Sequence, residues 1–518
     1  MKAKPTLPKT GITFLALWAL TTLYIALFPT RHYTPDAVNN LVFIEEANRF
    51  ELWHAQHLLA QWPGYWTYQL AGGALRAWEA MRIAHAVLAG ATVSLVYAAV
   101  QALTQSQRIA VVSGLFLWFS YGFWHYHSDP DVYSAGYATV ALLMFAYVRY
   151  LSLPTSRRAV ALGSAGALAI LMHQLNVELA ALIGLSLFFF VPPAGRGMMH
   201  HAPTNRVTGS ISREGNSEQV QTLRRHALIY ALVGTLVPLA VYLIGWKSAG
   251  EYLLERGGIF PPFLEWALGY FGKAQAGEAT WGVSLGVSTI PTALYTFLLS
   301  WVLPPPLDSA SVGEKLLLAL LSVGCLILFV HMAFALRRLP MPQRLGAWVC
   351  GLTLLANGIS GWWWQAGNVK FYLFMQIPLV VLAALYARQA LTGWQRRLRT
   401  LALGSVMSVV IGFHLVSTLP YETRGGVFSV ADLAGETPVV VWFERPAHVD
   451  MFRSISSHTG HALPGFFCES LPALSRERTW WVVNDATGCP ALGNAAPIGR
   501  FQADRSRAMW AIYEVVGE

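Results

Sequence analysis

The sequence predicts an all-α polytopic membrane protein of about eleven transmembrane helices, followed by a small C-terminal extracytoplasmic α/β domain. Of its 518 residues, 55% are hydrophobic and 12% are charged, whereas a soluble domain carries about 25% charged residues. Apolar stretches of roughly 20 residues, the length that crosses a bilayer as a helix, recur up to residue 417. The predicted helices cover residues 12–29, 84–104, 109–126, 134–152, 158–173, 177–192, 227–245, 316–336, 346–361, 371–388 and 400–417.

Basic residues orient these helices, because loops on the cytoplasmic side of a membrane are enriched in Lys and Arg. Three lysines precede the first helix, so we place the N-terminus in the cytoplasm. No small-residue cleavage site follows Phe28, and we interpret 12–29 as a retained helix rather than a signal peptide. Residues 285–303 are long enough to cross, but a crossing would put Arg337 and Arg338 outside, and we expect a helix at the interface instead.

The topology predicts an inner-membrane protein whose C-terminus is periplasmic or otherwise extracytoplasmic. We divide the chain into a transmembrane domain, 1–417, and an extracytoplasmic domain, 418–518. The elements expected in the second domain are strands at 439–443, 480–484 and 509–516 and a helix at 447–458. Cys468 and Cys489 lie there and could form a disulfide in an oxidising compartment, or stay as two thiols.

The polar and aromatic residues concentrate in a few junctions between the predicted helices. This topology places four such junctions on the external side, at residues 31–66, 124–133, 173–178 and 362–370. Few ionisable residues fall deep within a helix, where a transporter more often carries them. No basic cluster is interleaved with aromatic residues, so no nucleic acid partner is expected. The pattern predicts one site at the membrane–water boundary.

Two aspartates are the candidate catalytic residues. Asp36 follows the first helix, where a carboxylate could accept a proton from an acceptor hydroxyl; it could equally cap the next helix. Asp131 and Asp129 flank a proline, a pattern that is common in ordinary turns.

A divalent metal ion is a second interpretation of the same turn, because His125 and His127 crowd it. Imidazole and carboxylate groups bind divalent cations, yet this spacing matches no specific metal motif, and no residue is assigned as a metal ligand.

The candidate substrate-binding residues share an ability to contact a phosphate or a sugar, and they are His57, Tyr65, Tyr133, His173, Asn368 and Lys370. Each type also has a structural interpretation. A histidine at a helix end can be an interfacial residue, an external lysine can be an anchor, and Trp and Tyr form belts at membrane interfaces.

The order of these motifs resembles a known family. Asp36, then His57 with Pro63-Gly64-Tyr65, then Trp118 and Trp124, then Asp131-Val132-Tyr133 follow one another as in the GT-C superfamily of integral-membrane glycosyltransferases. The branch related to protein O-mannosyltransferases is the most similar. The resemblance covers residues 12–192, with further support from Gly367 to Phe371.

The resemblance implies inverting transfer of a sugar from a polyprenyl-phosphate donor to a protein, lipid or glycan acceptor on the outer face. Asp36 would be the general base, and His57, His173 and Lys370 would lie near the donor phosphate. Asp131 and Tyr133 would shape the acceptor or metal side. The chain departs from the branch at two places: Asp131 stands where Glu is expected, and Leu58 follows His57 where Pro is usual.

Other function classes stay open at this point. An O-antigen-type ligase or polymerase would use arginines in its second half, and the external region 246–315 contains Arg256. A transporter or flippase, and a non-catalytic assembly protein whose tail binds a partner, are the remaining alternatives.

Overall fold

The computed structural model describes residues 7–30, 35–189, 213–267, 287–302, 332, 334–366, 368–389, 393–415, 419, 439–443, 465–467, 478–484, 496–502 and 509–516. The α-helices in this part of the chain are α1 Leu7–Leu27, α2 Pro35–Glu45, α3 Arg49–Leu52, α4 Trp62–Leu70, α5 Ala77–Thr104, α6 Gln107–Trp118, α7 Tyr121–Ser128, α8 Tyr133–Ser152, α9 Ser156–Met172, α10 Val177–Phe189, α11 Arg213–Glu255, α12 Phe263–Ala267, α13 Ile290–Leu299, α14 Met341–Gln365, α15 Gln376–Arg388 and α16 Gly393–Phe413. Short 3₁₀ helices cover Ala55–His57, Gln174–Asn176, Val287–Thr289 and Val369–Met375.

Five segments are helical, long and apolar enough to cross a membrane, judged by length and composition: Thr10–Leu27, Ala77–Thr104, Gln221–Glu255, Met341–Trp363 and Val369–Arg388. The protein is therefore a multi-pass membrane protein, and the count of eleven crossings stays a prediction. Most of the predicted helix 316–336 lies outside the described residues. The ten-residue α13 is about 15 Å long, half the thickness of a bilayer core.

The predicted helix 109–126 is wrong as a single element, because the structure divides it into α6 and α7. Ser120 stands between them with an extended backbone, φ −72° and ψ 141°. The N–H groups of Tyr121 and Gly122 donate to the carbonyls of Trp301 and Ser300, at 3.0 and 2.7 Å, instead of continuing the helix. Hydropathy cannot detect this break, because it does not record which carbonyl a backbone N–H donates to.

Helix α5 lies at the centre of the bundle and packs against α1, α4, α6 and α8. Gly90 permits the contact with α1: a Cβ there would come within 2.5 Å of the Trp18 carbonyl oxygen. Helix α9 packs between α8 and α11, and α10 contacts α14. The large buried side chains of the core are aromatic, including Trp124, Tyr97 and Tyr137. This packing brings the start of α8 and the end of α9 to the same end of the bundle.

A five-stranded mixed sheet forms near the C-terminus, with the order β2-β1-β3-β5-β4. Its strands are β1 Val439–Phe443, β2 Gly465–Phe467, β3 Arg478–Asn484, β4 Gly499–Gln502 and β5 Met509–Val516. Strand β1 pairs in parallel with β2 and β3, and β5 pairs antiparallel with β3 and β4. The three predicted strands coincide with β1, β3 and β5. The predicted helix 447–458 and both Cys468 and Cys489 lie outside the described residues, so the α/β domain stays a prediction.

Candidate functional site

A cavity of about 680 Å³ opens at the end of the bundle where α8 begins and α9 ends. Its walls come from α2, residues 51–61, the turns before α8 and after α9, and residues 360–371. Most of the predicted site residues line it: Asp36, His57, Asp131, Tyr133, His173, Asn368 and Lys370. The four junctions that the sequence marked as polar thus contribute to one cavity.

Tyr65 is the predicted site residue that does not line this cavity. Its ring lies on α4, 5.4 Å from the ring of Trp62 and 5.7 Å from that of Trp66, and it packs beside a buried cluster that includes Leu41 and Met81. Packing among aromatic neighbours accounts for its position, and we leave Tyr65 out of the proposed site.

Asp36 lies in the first turn of α2, directly after Pro35. Proline suits the start of a helix because its missing N–H has no partner to lose there. A carboxylate in the first turn interacts favourably with the helix dipole. The Asp36 side chain is 65% exposed and contacts Lys370. Its exposure leaves the carboxylate accessible to a substrate in the cavity.

Asp131 is held quite differently, because its side chain is fully buried. One carboxylate oxygen accepts the N–H of Val132 at 2.7 Å, just before α8 begins. The other lies 2.8 Å from the Lys370 ammonium. The backbone N–H of Asp131 donates to the Asp129 carbonyl at 2.8 Å and closes the turn. Asp131 is therefore a fixed carboxylate within the wall of the cavity.

Lys370 links the two aspartates. It sits at the start of the 3₁₀ helix Val369–Met375, where the Asn368 side chain accepts the Lys370 N–H at 3.1 Å. Its ammonium forms ion pairs with both Asp36 and Asp131, and it lies 5.6 Å from the centre of the Tyr133 ring. The sequence suggested a phosphate contact for Lys370, whereas the structure gives it two carboxylate partners.

The position of the Lys370 ammonium also argues against a metal ion at the two aspartates. The Lys370 ammonium occupies the position between Asp36 and Asp131 that a bridging cation would need, so this pair does not fit a metal ion. His125 and His127 are buried in α7, and His127 bonds to the Phe123 carbonyl. Within the described ranges, no group of three or more His, Cys, Asp or Glu side chains is placed to hold a metal.

Three histidines form another wall. The rings of His54 and His57 stack with centroids 4.2 Å apart, and His173 lies 6.3 Å from His57. The structure ends α9 at Met172 and places His173 in the turn beyond it. Burial lowers the pKa of His173 to about 3, and His54 and Lys370 act in the same direction.

His173 is therefore a neutral imidazole at pH 7. The Leu175 N–H donates to its Nδ1 at 3.3 Å, so its own proton lies on Nε2. A neutral ring in this tautomer is a hydrogen-bond donor without charge, which is suited to orienting an anionic oxygen.

Glu178 is a cavity residue to which the sequence assigned no role. Its carboxylate oxygens accept hydrogen bonds from the Asn357 amide and the Ser360 hydroxyl, both on α14. Trp363, 41% exposed, lines the cavity beside it. Each carboxylate oxygen has a second lone pair, so Glu178 can also accept from a ligand hydroxyl. The sequence contained one signal that could have identified Glu178, which is an acidic residue in the first turn of an apolar helix.

Comparisons with known proteins show similarity only in structure. No protein-family model matches the sequence, and no curated protein matches it. The chain is similar to ArnT from Cupriavidus metallidurans, solved bound to undecaprenyl phosphate, with a TM-score of 0.52 and 13% identity over 98% of each chain.

Two weaker likenesses have TM-scores too low to carry an argument. One is to the oligosaccharyltransferase AglB from Archaeoglobus fulgidus, with a TM-score of 0.43 and 11% identity over 86% of this chain and 64% of that one. The other is to the Saccharomyces cerevisiae protein O-mannosyltransferase Pmt1-Pmt2 complex, with a TM-score of 0.36 and 17% identity over 48% of this chain and 35% of that one. The likeness to ArnT confirms the predicted GT-C resemblance at the level of the fold.

Proposed function

We propose that this protein is a membrane glycosyltransferase that transfers a sugar from a polyprenyl-phosphate donor to an extracytoplasmic acceptor. Asp36 is the general base. The observation that carries the proposal is the contrast between the two aspartates that share Lys370: Asp131 is fully buried, whereas Asp36 is 65% exposed at the cavity. A base must reach the proton that it removes, and Asp36 meets that condition.

The proposed reaction is an inverting substitution at the anomeric carbon of the donor sugar. The acceptor hydroxyl oxygen attacks the anomeric carbon of the donor sugar as its proton passes to the Asp36 carboxylate. The bond between the anomeric carbon and the phosphate oxygen breaks, and polyprenyl phosphate leaves with the electron pair. Because attack and departure take place on opposite sides, the anomeric configuration inverts. Positioning and electrostatic stabilisation supply the rate enhancement.

The histidine wall suits the donor phosphate. His173 is neutral and carries its proton on Nε2, and His54 and His57 lie beside it. N–H donors at this wall stabilise the negative charge that builds on the leaving phosphate. Lys370 contacts both Asp36 and Asp131, and this shared contact orients the base.

The lipid part of the donor is supported by the membrane character of the chain and by its fold. Undecaprenyl phosphate is the molecule bound in the C. metallidurans structure that resembles this one. For this chain we propose an inner-membrane location, with the cavity and the C-terminal α/β domain on the extracytoplasmic side. The acceptor is a hydroxyl-bearing protein, lipid or glycan.

The test compares the glycans and glycolipids of cells that carry the gene with those of a deletion strain, by mass spectrometry. The deletion strain is complemented with the wild type, with Asp36→Asn or with Glu46→Gln. Glu46 is an exposed carboxylate just past the end of α2 that does not line the cavity. Loss of a general base costs roughly 10²–10⁴-fold in rate, so we expect Asp36→Asn to lose the product and Glu46→Gln to keep it.

Two results would contradict the proposal. A strain complemented with Asp36→Asn that makes the product at the wild-type level would reject the base. Loss of product in Arg256→Ala, combined with full activity of Asp36→Asn, would favour the ligase alternative. Immunoblotting of the membranes verifies that each variant is inserted.

A further inference from the structure

A second cavity, of about 470 Å³, lies between α8 and α9, away from the candidate site. Its volume falls within the roughly 300–1,000 Å³ that is typical of ligand sites. Two helical stripes with spacings of three and four residues form its walls: Leu142, Phe145, Ala146 and Arg149 on α8, and Ala161, Ser164, Ala165 and Leu168 on α9. This spacing places each set on one face of its helix, so the two faces enclose an apolar groove.

Two arginines close one end of the groove. The exposed Arg149 projects from the last turn of α8, and Arg158 lies in the first turn of α9. Arg158 donates from a single nitrogen, Nη1, to the carbonyls of Arg149 and Leu153 and to the Ser152 hydroxyl. Within the part of the chain that the structure describes, the Nε and Nη2 hydrogens of Arg158 have no protein acceptor and can bind a ligand. Among the described residues, neither arginine forms an ion pair with a carboxylate.

This end of the groove is far from the candidate site. Arg149 lies sixteen residues beyond Tyr133 on α8, which amounts to about 24 Å along the helix axis. The groove therefore opens at the opposite end of the α8–α9 pair, near the other membrane surface. A ligand bound at this end of the groove is too far away to be the sugar that binds in the first cavity.

We propose that this groove binds an anionic phospholipid, with an acyl chain along the apolar stripes and the phosphate at Arg149 and Arg158. Charge complementarity favours a lipid over a transmembrane helix or a second copy of this chain. A helix could pack on the small residues of α9, but its apolar surface would leave both guanidinium groups without an anion. Bound in this way, the lipid bridges α8 and α9 and stabilises their packing.

The test titrates the purified protein in detergent with dioleoyl-phosphatidylglycerol or dioleoyl-phosphatidylcholine and counts bound lipids by native mass spectrometry. The two lipids have the same chains, so only the headgroup differs. We expect the wild type to retain one phosphatidylglycerol in preference to phosphatidylcholine. Arg149→Gln should weaken phosphatidylglycerol binding about fivefold, the effect of one arginine at a lipid surface. Ser164→Phe should fill the groove and weaken the binding of both lipids.

Arg157→Gln is the matched control, because Arg157 is an exposed neighbouring arginine that does not line the groove. It should bind lipid as the wild type does. Equal retention of the two lipids by the wild type would overturn the proposal. Equal loss in Arg149→Gln and Arg157→Gln would do the same, since it indicates general surface attraction, as would a dimer mass without lipid. Gel filtration verifies folding, and Ser164→Phe decides the matter if Arg149→Gln does not fold.

Discussion

The ammonium of Lys370 lies 2.8 Å from the carboxylate of Asp131, which is fully buried at the start of α8. The pair connects the 3₁₀ helix Val369–Met375 to the turn before α8, two segments that are distant in sequence. An ion pair in such a position holds the two segments together, because separating it would leave the buried Asp131 carboxylate without the ammonium that offsets its charge.

Replacing Lys370 by Met should destabilise the protein by about 3–5 kcal/mol, the usual cost of removing one partner of a buried pair. The double variant Lys370→Met/Asp131→Asn, which removes both charges, should be more stable than Lys370→Met alone. Thermal unfolding in detergent measures both. The single variant Asp131→Asn completes the comparison. If the double variant loses as much stability as Lys370→Met and Asp131→Asn lose together, the pair does not interact.

The two aspartates should respond differently to the same change. Asp36→Asn removes an exposed carboxylate, and exposed ion pairs contribute only about 0–1 kcal/mol, so its free energy of unfolding should stay close to the wild-type value. Asp131→Asn removes a fully buried carboxylate and should destabilise strongly. Chemical unfolding of both variants separates a residue needed for transfer from one needed for the fold. Comparable destabilisation of the two would contradict this division.

The sequence was sufficient to predict that five residues lie around one cavity: Asp36, Asp131, His57, His173 and Lys370. Charge bias assigned each junction to one side of the membrane, and the bundle then had to gather the junctions at one end. The pairing of Lys370 with both aspartates could not be predicted, because it depends on how the Asn368 cap directs the start of the 3₁₀ helix.

The break between α6 and α7 could not be predicted from the sequence, for a related reason. The carbonyl groups of Ser300 and Trp301 that cause it lie far along the chain from residues 120–122. A hydropathy window registers composition but not the partner of a backbone N–H. The position of Tyr65 outside the cavity could not be predicted either, because the sequence does not distinguish an aromatic side chain that faces a ligand from one that packs on a neighbouring ring.

Variants of Glu178 distinguish the contribution of its negative charge to stability from that of its hydrogen bonds. Glu178→Ala leaves the Asn357 amide, which is 5% exposed, without its acceptor, and an unsatisfied buried donor costs about 1–3 kcal/mol. Glu178→Gln can accept from Asn357 through its oxygen and donate to Ser360 through its amide. We therefore expect melting temperatures in the order wild type, Glu178→Gln, Glu178→Ala. A Gln variant no more stable than the Ala variant would mean that the charge itself holds α14.

Gly122 should tolerate no side chain, because α7 approaches the Lys370 segment closely there. A Cβ at this position would lie 2.6 Å from Leu373 Cδ2 and 2.8 Å from the Ser300 carbonyl oxygen. Overpacking of this kind costs about 1–3 kcal/mol. Gly346→Ala is the control, since nothing lies within 4 Å of that Cβ on α14, and alanine should stabilise the helix by up to about 1 kcal/mol. Equal melting temperatures for the two variants would contradict the close contact.

His173 should make the stability of the protein depend on pH. Its pKa is about 3 in the folded protein, below the ordinary value of 6.5, chiefly because the ring is buried. Between these two values the unfolded chain binds a proton that the folded protein excludes. The free energy of unfolding must therefore fall as the pH drops from about 6.5 towards 3, by about 1.4 kcal/mol for each pH unit.

His173→Gln removes this titration and keeps an oxygen that can accept the Leu175 N–H. The melting temperature of the variant should thus fall less steeply than that of the wild type between pH 7 and pH 5, measured in the same detergent. Other titrating groups contribute to both proteins and cancel in the difference. Parallel curves across that range would mean that the pKa of His173 is the same in the folded and unfolded protein.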